Sequence, residues 1–337
     1  MTIKFAAIGI THSHIYGQVD TLLREGASFV GFWSDEEDVA VPFAQKFPQA
    51  KRVADRRELL DDASIPLILT SAIPAKRAEI AIAAMRAGKD VMSDKPGMTS
   101  LDQLAEIKQV QAETRRIFSV CYSEHFETRS TVKAGELVLS GAIGKVVNTV
   151  GLGPHALFNN KRAPYFFDRN QYGGILCDIG SHQVEQFLFF TGSSDAQIVS
   201  SSVANRAHPD YPGLQDAGDM HLSAATATGY IRVDWFTPNG LGTWGDGRLF
   251  ILGTDGYIEI RKYTDVAVKK QGNNLFLVDN KQARYIDCNN MPLPFGPQFV
   301  SDIVNRTHTA QDQVQCLLAA ELVIKAQLAA KRVTLEA

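Results

Sequence analysis

The sequence predicts an α/β protein in two parts. An N-terminal doubly wound parallel sheet is followed by a C-terminal α+β domain with a large, mostly antiparallel open sheet. Three observations carry this. Short apolar runs alternate with helix-length segments through the first third of the chain. After Val146 the pattern changes to closely spaced strand-like runs with few helices between them. A long helical segment then closes the chain.

In the first part, residues 3–9 are an apolar run ending in Gly9, and residues 15–24 follow with helical spacing. Residues 28–33 read as a second strand and 39–47 as a helix. Residues 67–71 read as a strand and 75–87 as an Ala-rich helix, with Gly88 at the left-handed position just past its end. Residues 91–93, 101–112 and 117–120 continue as strand, helix and strand. Alternation at these lengths implies right-handed crossovers and parallel pairing. A helix over 129–139 then leads to strands at 146–152, 198–203, 221–225, 230–235, 249–252, 257–260 and 275–278. Thr254-Asp255-Gly256 reads as a hairpin turn between two of them. The expected domains are residues 1–121 and 122–337, with a closing helix over 309–331 packed back on the first.

Composition narrows the function. The 337 residues carry a net charge of −3, with 45% hydrophobic and 21% charged residues mixed along the chain. That balance argues against nucleic acid or an anionic membrane as partner. No apolar run is long enough to span a bilayer, and the N-terminus does not read as a signal peptide. Cys121, Cys177, Cys288 and Cys316 are scattered, with neither metal-type pairing nor a disulfide framework. Reduced thiols in a cytoplasm are the expectation.

Strand 1 runs into Gly9-Ile10-Thr11-His12-Ser13-His14. A dinucleotide fingerprint would put glycines at positions 9, 11 and 14; only Gly9 matches. A Thr11 hydroxyl can replace part of the middle glycine's role, and the helix N-terminus still attracts phosphate. The plain alternative is a βα turn with Thr11 or Ser13 as N-cap. The second strand ends at Ser34-Asp35-Glu36-Glu37-Asp38. An acid here can hold a ribose diol and would repel a 2′-phosphate, and no Arg stands among the four acids, so NAD is favoured over NADP. His12 and His14 do not share a helix face and have no carboxylate fixed by sequence, so no metal is expected.

Two further motifs stand out. Asp94-Lys95-Pro96 closes the run Val91-Met92-Ser93, placing a lysine at a strand's end. Gly173-Gly174-Ile175-Leu176-Cys177-Asp178-Ile179-Gly180-Ser181-His182 sets an Asp and a His four residues apart, hence on one face if the segment is helical. Such a group can manage a hydroxyl proton while a hydride leaves the same carbon. Taken singly, a solvated lysine, an N-cap aspartate and a packing histidine are the simpler explanations.

The order of motifs resembles the glucose–fructose oxidoreductase, inositol dehydrogenase and MocA family (Gfo/Idh/MocA). Ala87-Gly88-Lys89-Asp90-Val91-Met92-Ser93-Asp94-Lys95-Pro96 is similar to its A-G-K-x-V-x-x-E-K-P segment, with Asp94 for Glu. Gly141-Ala142-Ile143-Gly144-Lys145-Val146 is similar to its G-x-I-G-x-v segment, and Gly173 to His182 to its G-G-x-x-x-D-x-G-x-H segment. Arg77 stands where the family usually has a His shortly before Glu79. The resemblance covers essentially the whole chain. It implies an N-terminal Rossmann domain and a C-terminal α/β domain whose open sheet commonly forms the subunit interface. It also implies Lys95, Asp178 and His182 as catalytic residues.

The expected activity is NAD(P)-dependent oxidation of a secondary hydroxyl on a sugar, polyol or cyclitol. His182 is the general base, Asp178 orients it, and Lys95 polarises the oxygen; exchange of the Lys95 and His182 roles stays open. Candidate cofactor contacts are Gly9, Thr11, His12, His14, Ser34, Asp35, Ala72, Pro74, Asp94, Lys95 and Pro96. Candidate substrate contacts are Tyr122, Glu124, His125, His155, Arg162, Tyr165 and Tyr172. Lys161 and Arg162 leave an acidic substrate open. Trp235 and Trp244 read as packing. Two rival readings remain: an NAD-dependent enzyme that cleaves or eliminates by transient oxidation, and a non-catalytic nucleotide sensor or partner protein. Edge strands and an exposed sheet face argue for a homo-oligomer, dimer or tetramer.

Overall fold

The computed structural model describes residues 3–157, 162–267 and 271–333; Lys161 lies outside them. The chain divides into two compact units, one of residues 1–121 with 294–320, the other of residues 122–293 with 321–337.

The first unit runs β1 (Lys4–Ile8), α1 (His14–Arg24), β2 (Ser28–Trp33), α2 (Glu37–Lys46), β3 (Lys51–Arg52), α3 (Arg57–Leu60), β4 (Leu67–Thr70), α4 (Pro74–Arg86), β5 (Asp90–Asp94), α5 (Leu101–Thr114) and β6 (Phe118–Cys121). The six strands pair in the order β3-β2-β1-β4-β5-β6, all parallel. Every residue of β4, β5 and β6 is buried, as continuous apolar runs in a sheet covered on both faces require. Pro74 opens α4, where its missing N–H costs nothing. Ser100 caps α5 by accepting from the Gln103 N–H.

The second unit begins with α6 (Ser123–Phe126), α7 (Arg129–Leu139) and β7 (Val146–Pro154). A 3₁₀ turn at Pro164–Phe167 leads into α8 (Arg169–Tyr172), α9 (Ile175–Asp178) and α10 (Gly180–Thr191). Strands β8 (Gln197–Ala204), β9 (Ala217–Ser223), β10 (Thr228–Asp234), β11 (Arg248–Gly253), β12 (Gly256–Arg261), β13 (Asn274–Asp279) and β14 (Ala283–Asp287) follow. With β15 (Lys331–Arg332) they form a nine-stranded sheet ordered β14-β13-β12-β11-β7-β10-β9-β8-β15. It is mostly antiparallel, and β10 lies parallel to β7. The expected hairpin joins β11 to β12. Helix α10 packs on β7 and β10.

Residues 294–320, placed by sequence in the second domain, return to the first unit. They contain α11 (Phe295–Asn305), a helix the pattern reading missed, and the start of α12 (Gln313–Ala329). The closing helix is thus shorter at both ends than the expected 309–331. Gln311 Oε1 accepts from Ser119 Oγ and the Val120 N–H, and Gln313 Oε1 from the Phe118 N–H. These two side chains satisfy the outer edge of β6. No helix among the described residues is long and apolar enough to cross a membrane.

Candidate active site and cofactor loop

Strand order reverses between β1 and β4, the position where open parallel sheets bind ligands. β1 delivers the chain to Gly9 at φ +74°, where a Cβ would lie 2.6 Å from that of Ala72. Only glycine suits that backbone at that distance. The loop is laced to the end of β4: the Ser71 N–H donates to Gly9 O (2.9 Å) and the His12 N–H to Ser71 O (2.8 Å). Ser13 stands at the N-cap of α1 but already has helical dihedrals, and its hydroxyl caps nothing. His12 Nδ1 accepts from the His14 N–H instead, at 3.2 Å. A histidine, rather than the expected Thr11 or Ser13, takes the capping role.

Asp94, at the end of β5, organises the loop from below. Its Oδ1 lies 3.0 Å from His14 Nδ1 and accepts the Lys95 N–H at 2.8 Å. Its Oδ2 accepts Ser71 Oγ at 3.1 Å and lies 3.0 Å from Arg77 Nη2. Arg77 is wholly buried. Its Nε donates to Ala72 O at 2.7 Å and its Nη1 to the carbonyls of Lys95 and Pro96. The Arg77 Nη2 contact is Coulombic, its N–H directed off the carboxylate. The two departures from the family segment, Asp94 and Arg77, therefore meet in one ion pair. Burial alone would push the Asp94 carboxyl up, but Arg77, His14 and His12 hold it well below the carboxylate range. Burial, then His14, drives His12 far below its ordinary value, so its ring is neutral.

His12, His14 and Asp94 bring three metal-capable atoms within 4.8 Å of one another. This is the carboxylate that sequence could not fix beside the histidines. The adjacent Arg77 guanidinium opposes a cation there. Lys95 follows β5 directly, is buried, and forms a cis peptide with Pro96. Pro74 is buried in the first turn of α4. At the end of β2, Ser34 Oγ accepts the Glu36 N–H and Asp35 is exposed. No Arg stands among these acids in sequence, but the fold brings Arg52 to them. Its pairing register beside Phe32 places its guanidinium 2.7 Å from Glu37 and in hydrogen-bond contact with Ser34 O.

In the second unit, Gly174 (φ +93°) precedes α9 with a Cβ position 2.2 Å from Gln327 Oε1. Gln327 can therefore accept the Leu176 N–H and hold the start of α9. The backbone stays helical through Ile179 into α10, so Asp178 and His182 lie one turn apart. Asp178 ends α9 and is buried, and α10 starts without a side-chain cap. An N-cap role does not account for Asp178. Tyr122 is buried with its ring edge-on to His182 at 6.2 Å. Glu124 Oε2 accepts Lys262 Nζ (2.6 Å) and Gln183 Nε2 (3.0 Å), all three side chains buried. Burial would raise the Glu124 carboxyl, yet Lys262, then His182 and His155, bring it to about 2.

The remaining candidates divide. Arg162 donates to the Leu157 and Ala156 carbonyls and stacks 4.7 Å over Phe166 and 4.8 Å over Trp235. Burial lowers its pKa, while Asp178 and Tyr165 favour its charge. His155 meets the rings of Trp235 and Trp244. Tyr165 is buried against Phe166. His125 is engaged by Glu185 (2.8 Å) and Phe189, and the Tyr172 hydroxyl by Gly213 O and the Gln215 N–H. Sequence reasoning missed Lys262 altogether, because Arg261-Lys262 at the end of β12 reads as a solvated strand end.

The parallel sheet, its glycine turn and the helix N-terminus at the strand-order reversal define an NAD(P)-binding Rossmann protein. The chain belongs to the Gfo/Idh/MocA oxidoreductase family. Residues 3–122 match the model for an oxidoreductase family with an NAD-binding Rossmann fold, and residues 131–259 the GFO/IDH/MocA C-terminal domain. A crystal structure from Erwinia carotovora atroseptica, of a protein ascribed to the oxidoreductases, is 44% identical over 99% of this chain and 100% of that one, with a TM-score of 0.96. Myo-inositol 2-dehydrogenase of Thermotoga maritima is 25% identical over 77% of this chain and 71% of its own. KijD10, a 3-ketoreductase from Actinomadura kijaniata solved with NADP and TDP-benzene, shares the fold at a TM-score of 0.80 and 17% identity over 99% of each chain. The chain spans about half the length of the first curated relatives it matches.

Proposed function

We propose that this protein oxidises a secondary hydroxyl of a sugar, polyol or cyclitol, with NAD preferred over NADP. The observation that carries the reading is the Asp178–His182 pair, one helical turn apart, in a chain of this oxidoreductase family. The loop fits a dinucleotide: Gly9 permits the tight turn, Thr11 is partly exposed, and His14 stands half-exposed in the first turn of α1. When bound, the nicotinamide accepts the hydride from the substrate carbon. His182 takes the hydroxyl proton. Asp178 orients the imidazole or the substrate hydroxyl. Lys95, whose backbone N–H is held by Asp94 and whose carbonyl is held by Arg77, supplies the ammonium that polarises the reacting oxygen. Arg162, with its charge favoured by Asp178, extends the substrate range to hydroxyls beside a carboxylate. The enzyme acts in the cytoplasm as a homo-oligomer.

The test is a panel of sugars, cyclitols and sugar acids with NAD+ and NADP+, repeated with Lys95→Ala and His182→Ala. Each substitution is expected to lower kcat by about 10²–10⁴-fold. Unchanged turnover in both overturns the mechanism. NAD binding with turnover lost on Lys95→Ala excludes a pure sensor.

A further inference from the structure

Glu124 and Lys262 form a buried ion pair that the reaction just described does not use. Both side chains are almost without solvent. Such a pair is costly to desolvate, and its retention calls for a role besides stability. The pair grips α10 at Gln183 and Gln186, in the turn that follows His182. Glu124 Oε2 accepts Gln183 Nε2, from the residue next to His182. Lys262 Nζ donates to Gln186 Oε1 at 2.9 Å, and Gln186 Nε2 donates to His182 O at 3.0 Å. The turn that bears the imidazole is thus tied by two side-chain bridges to one ion pair. Glu124 also lies two residues from Tyr122, whose ring meets that of His182.

The second oxygen of Glu124 is buried and accepts no hydrogen bond among the described residues. An ionised oxygen in that state favours positive charge nearby. The coupling is reciprocal: a protonated His182 favours the Glu124 carboxylate, so the carboxylate favours protonated His182. Among the described residues, the other charged or titratable groups on elements packed with α10 include Asp178 and Cys177 on α9, His125 on α6, Arg129, Lys133 and Glu136 on α7, and His155 beyond β7. Tyr230, Arg232 and Asp234 lie on β10, and Glu185 on α10 itself.

We propose that Glu124, paired with Lys262, is a positioning residue for His182, fixing the turn of α10 that bears its imidazole. The mechanistic significance rests on His182 being the base; the positioning itself does not. The experiment is a pH titration of the His182 ring protons by NMR in the full-chain protein, assigned by their loss in His182→Gln. Wild type is compared with Glu124→Gln and Glu124→Asp. Glu124→Gln is expected to lower the His182 midpoint by about one pH unit, a tenfold weaker hold on the proton, and Glu124→Asp to restore most of it. With an alcohol substrate, the acidic limb of kcat/KM moves to lower pH by the same amount. If Glu124→Gln does not fold, Gln186→Met cuts one bridge and leaves the ion pair intact. It is expected to shift the His182 resonances and to lower kcat about tenfold at unchanged KM. A folded Glu124→Gln with the wild-type midpoint overturns the proposal, as does Gln186→Met with unchanged resonances. A moved midpoint with full turnover in His182→Gln upholds the positioning and removes the base assignment.

Discussion

Replacing Arg77 with methionine is the sharpest test of the cofactor-loop support. The side chain fills its space, but Asp94, 1% exposed, loses its one buried guanidinium partner. The carbonyls of Ala72, Lys95 and Pro96 each lose a donor as well. Breaking a buried ion pair from one side costs about 3–5 kcal/mol, and each orphaned acceptor about 1 kcal/mol more, with overlap. A loss of about 4 kcal/mol is expected. A two-unit chain need not unfold in one step, so the local probe is native-state hydrogen exchange of the Val91 amide, bonded within the sheet to Ile117 O. Its opening free energy is expected to fall by that amount. Adding Asp94→Asn removes the stranded charge and is expected to return about 2 kcal/mol. A loss below about 1 kcal/mol in Arg77→Met, or further loss on adding Asp94→Asn, would refute the reasoning.

Two more ion pairs have measurable consequences. Glu37 holds Arg52 at the end of β2, so Glu37→Gln frees a guanidinium for a 2′-phosphate. The NADH-over-NADPH affinity ratio is then expected to fall about tenfold by fluorescence titration, and an unchanged ratio removes Arg52 from cofactor selection. The second concerns acid. Glu124 titrates at about 2 in the fold against 4.5 ordinarily, and Asp94 is also depressed. A depressed carboxylate contributes stability above its ordinary value and loses it as pH falls towards the folded one. Urea midpoints are therefore expected to be flat from pH 7 to 5 and to drop between about 4.5 and 2. Glu124 contributes on the order of 3 kcal/mol of that drop; a midpoint flat to pH 3 contradicts it.

Much of this was legible because local pattern and tertiary demand agreed. The short apolar runs at β4 and β5, alternating with helix-length segments, already read as parallel strands, and the Asp-x-x-x-His spacing placed Asp178 and His182 on one face of a helical segment. What sequence could not show were partnerships across distance. Arg77 and Asp94 each read as a departure; only the fold brings them together. The same holds for Arg52, which β3 carries to the acids after β2, and for Lys262, separated from Glu124 by most of the second unit. Helix α11 escaped because its apolar faces are interrupted by Gly296 and Pro297 near its start. His125 and Tyr172 looked like ligand contacts because polar aromatic groups near a motif invite that reading. In the fold His125 pairs with Glu185, and the Tyr172 hydroxyl bonds Gly213 O and the Gln215 N–H.

The return of residues 294–320 to the first unit has a consequence for biosynthesis. Until that segment leaves the ribosome, the outer edge of β6 lacks Gln311 and Gln313, and Asp90 lacks the Arg306 guanidinium that pairs with it at 2.6 Å. The first unit to begin translation is thus completed only after nearly all of the second has been made. The second unit has every strand but β15 in hand while the first still presents an open strand edge. An unpaired edge in a nascent chain is a site of mispairing. This protein passes through a vulnerable interval whose length is set by translation of the whole inserted sheet, and slowing the ribosome within residues 122–293 prolongs it.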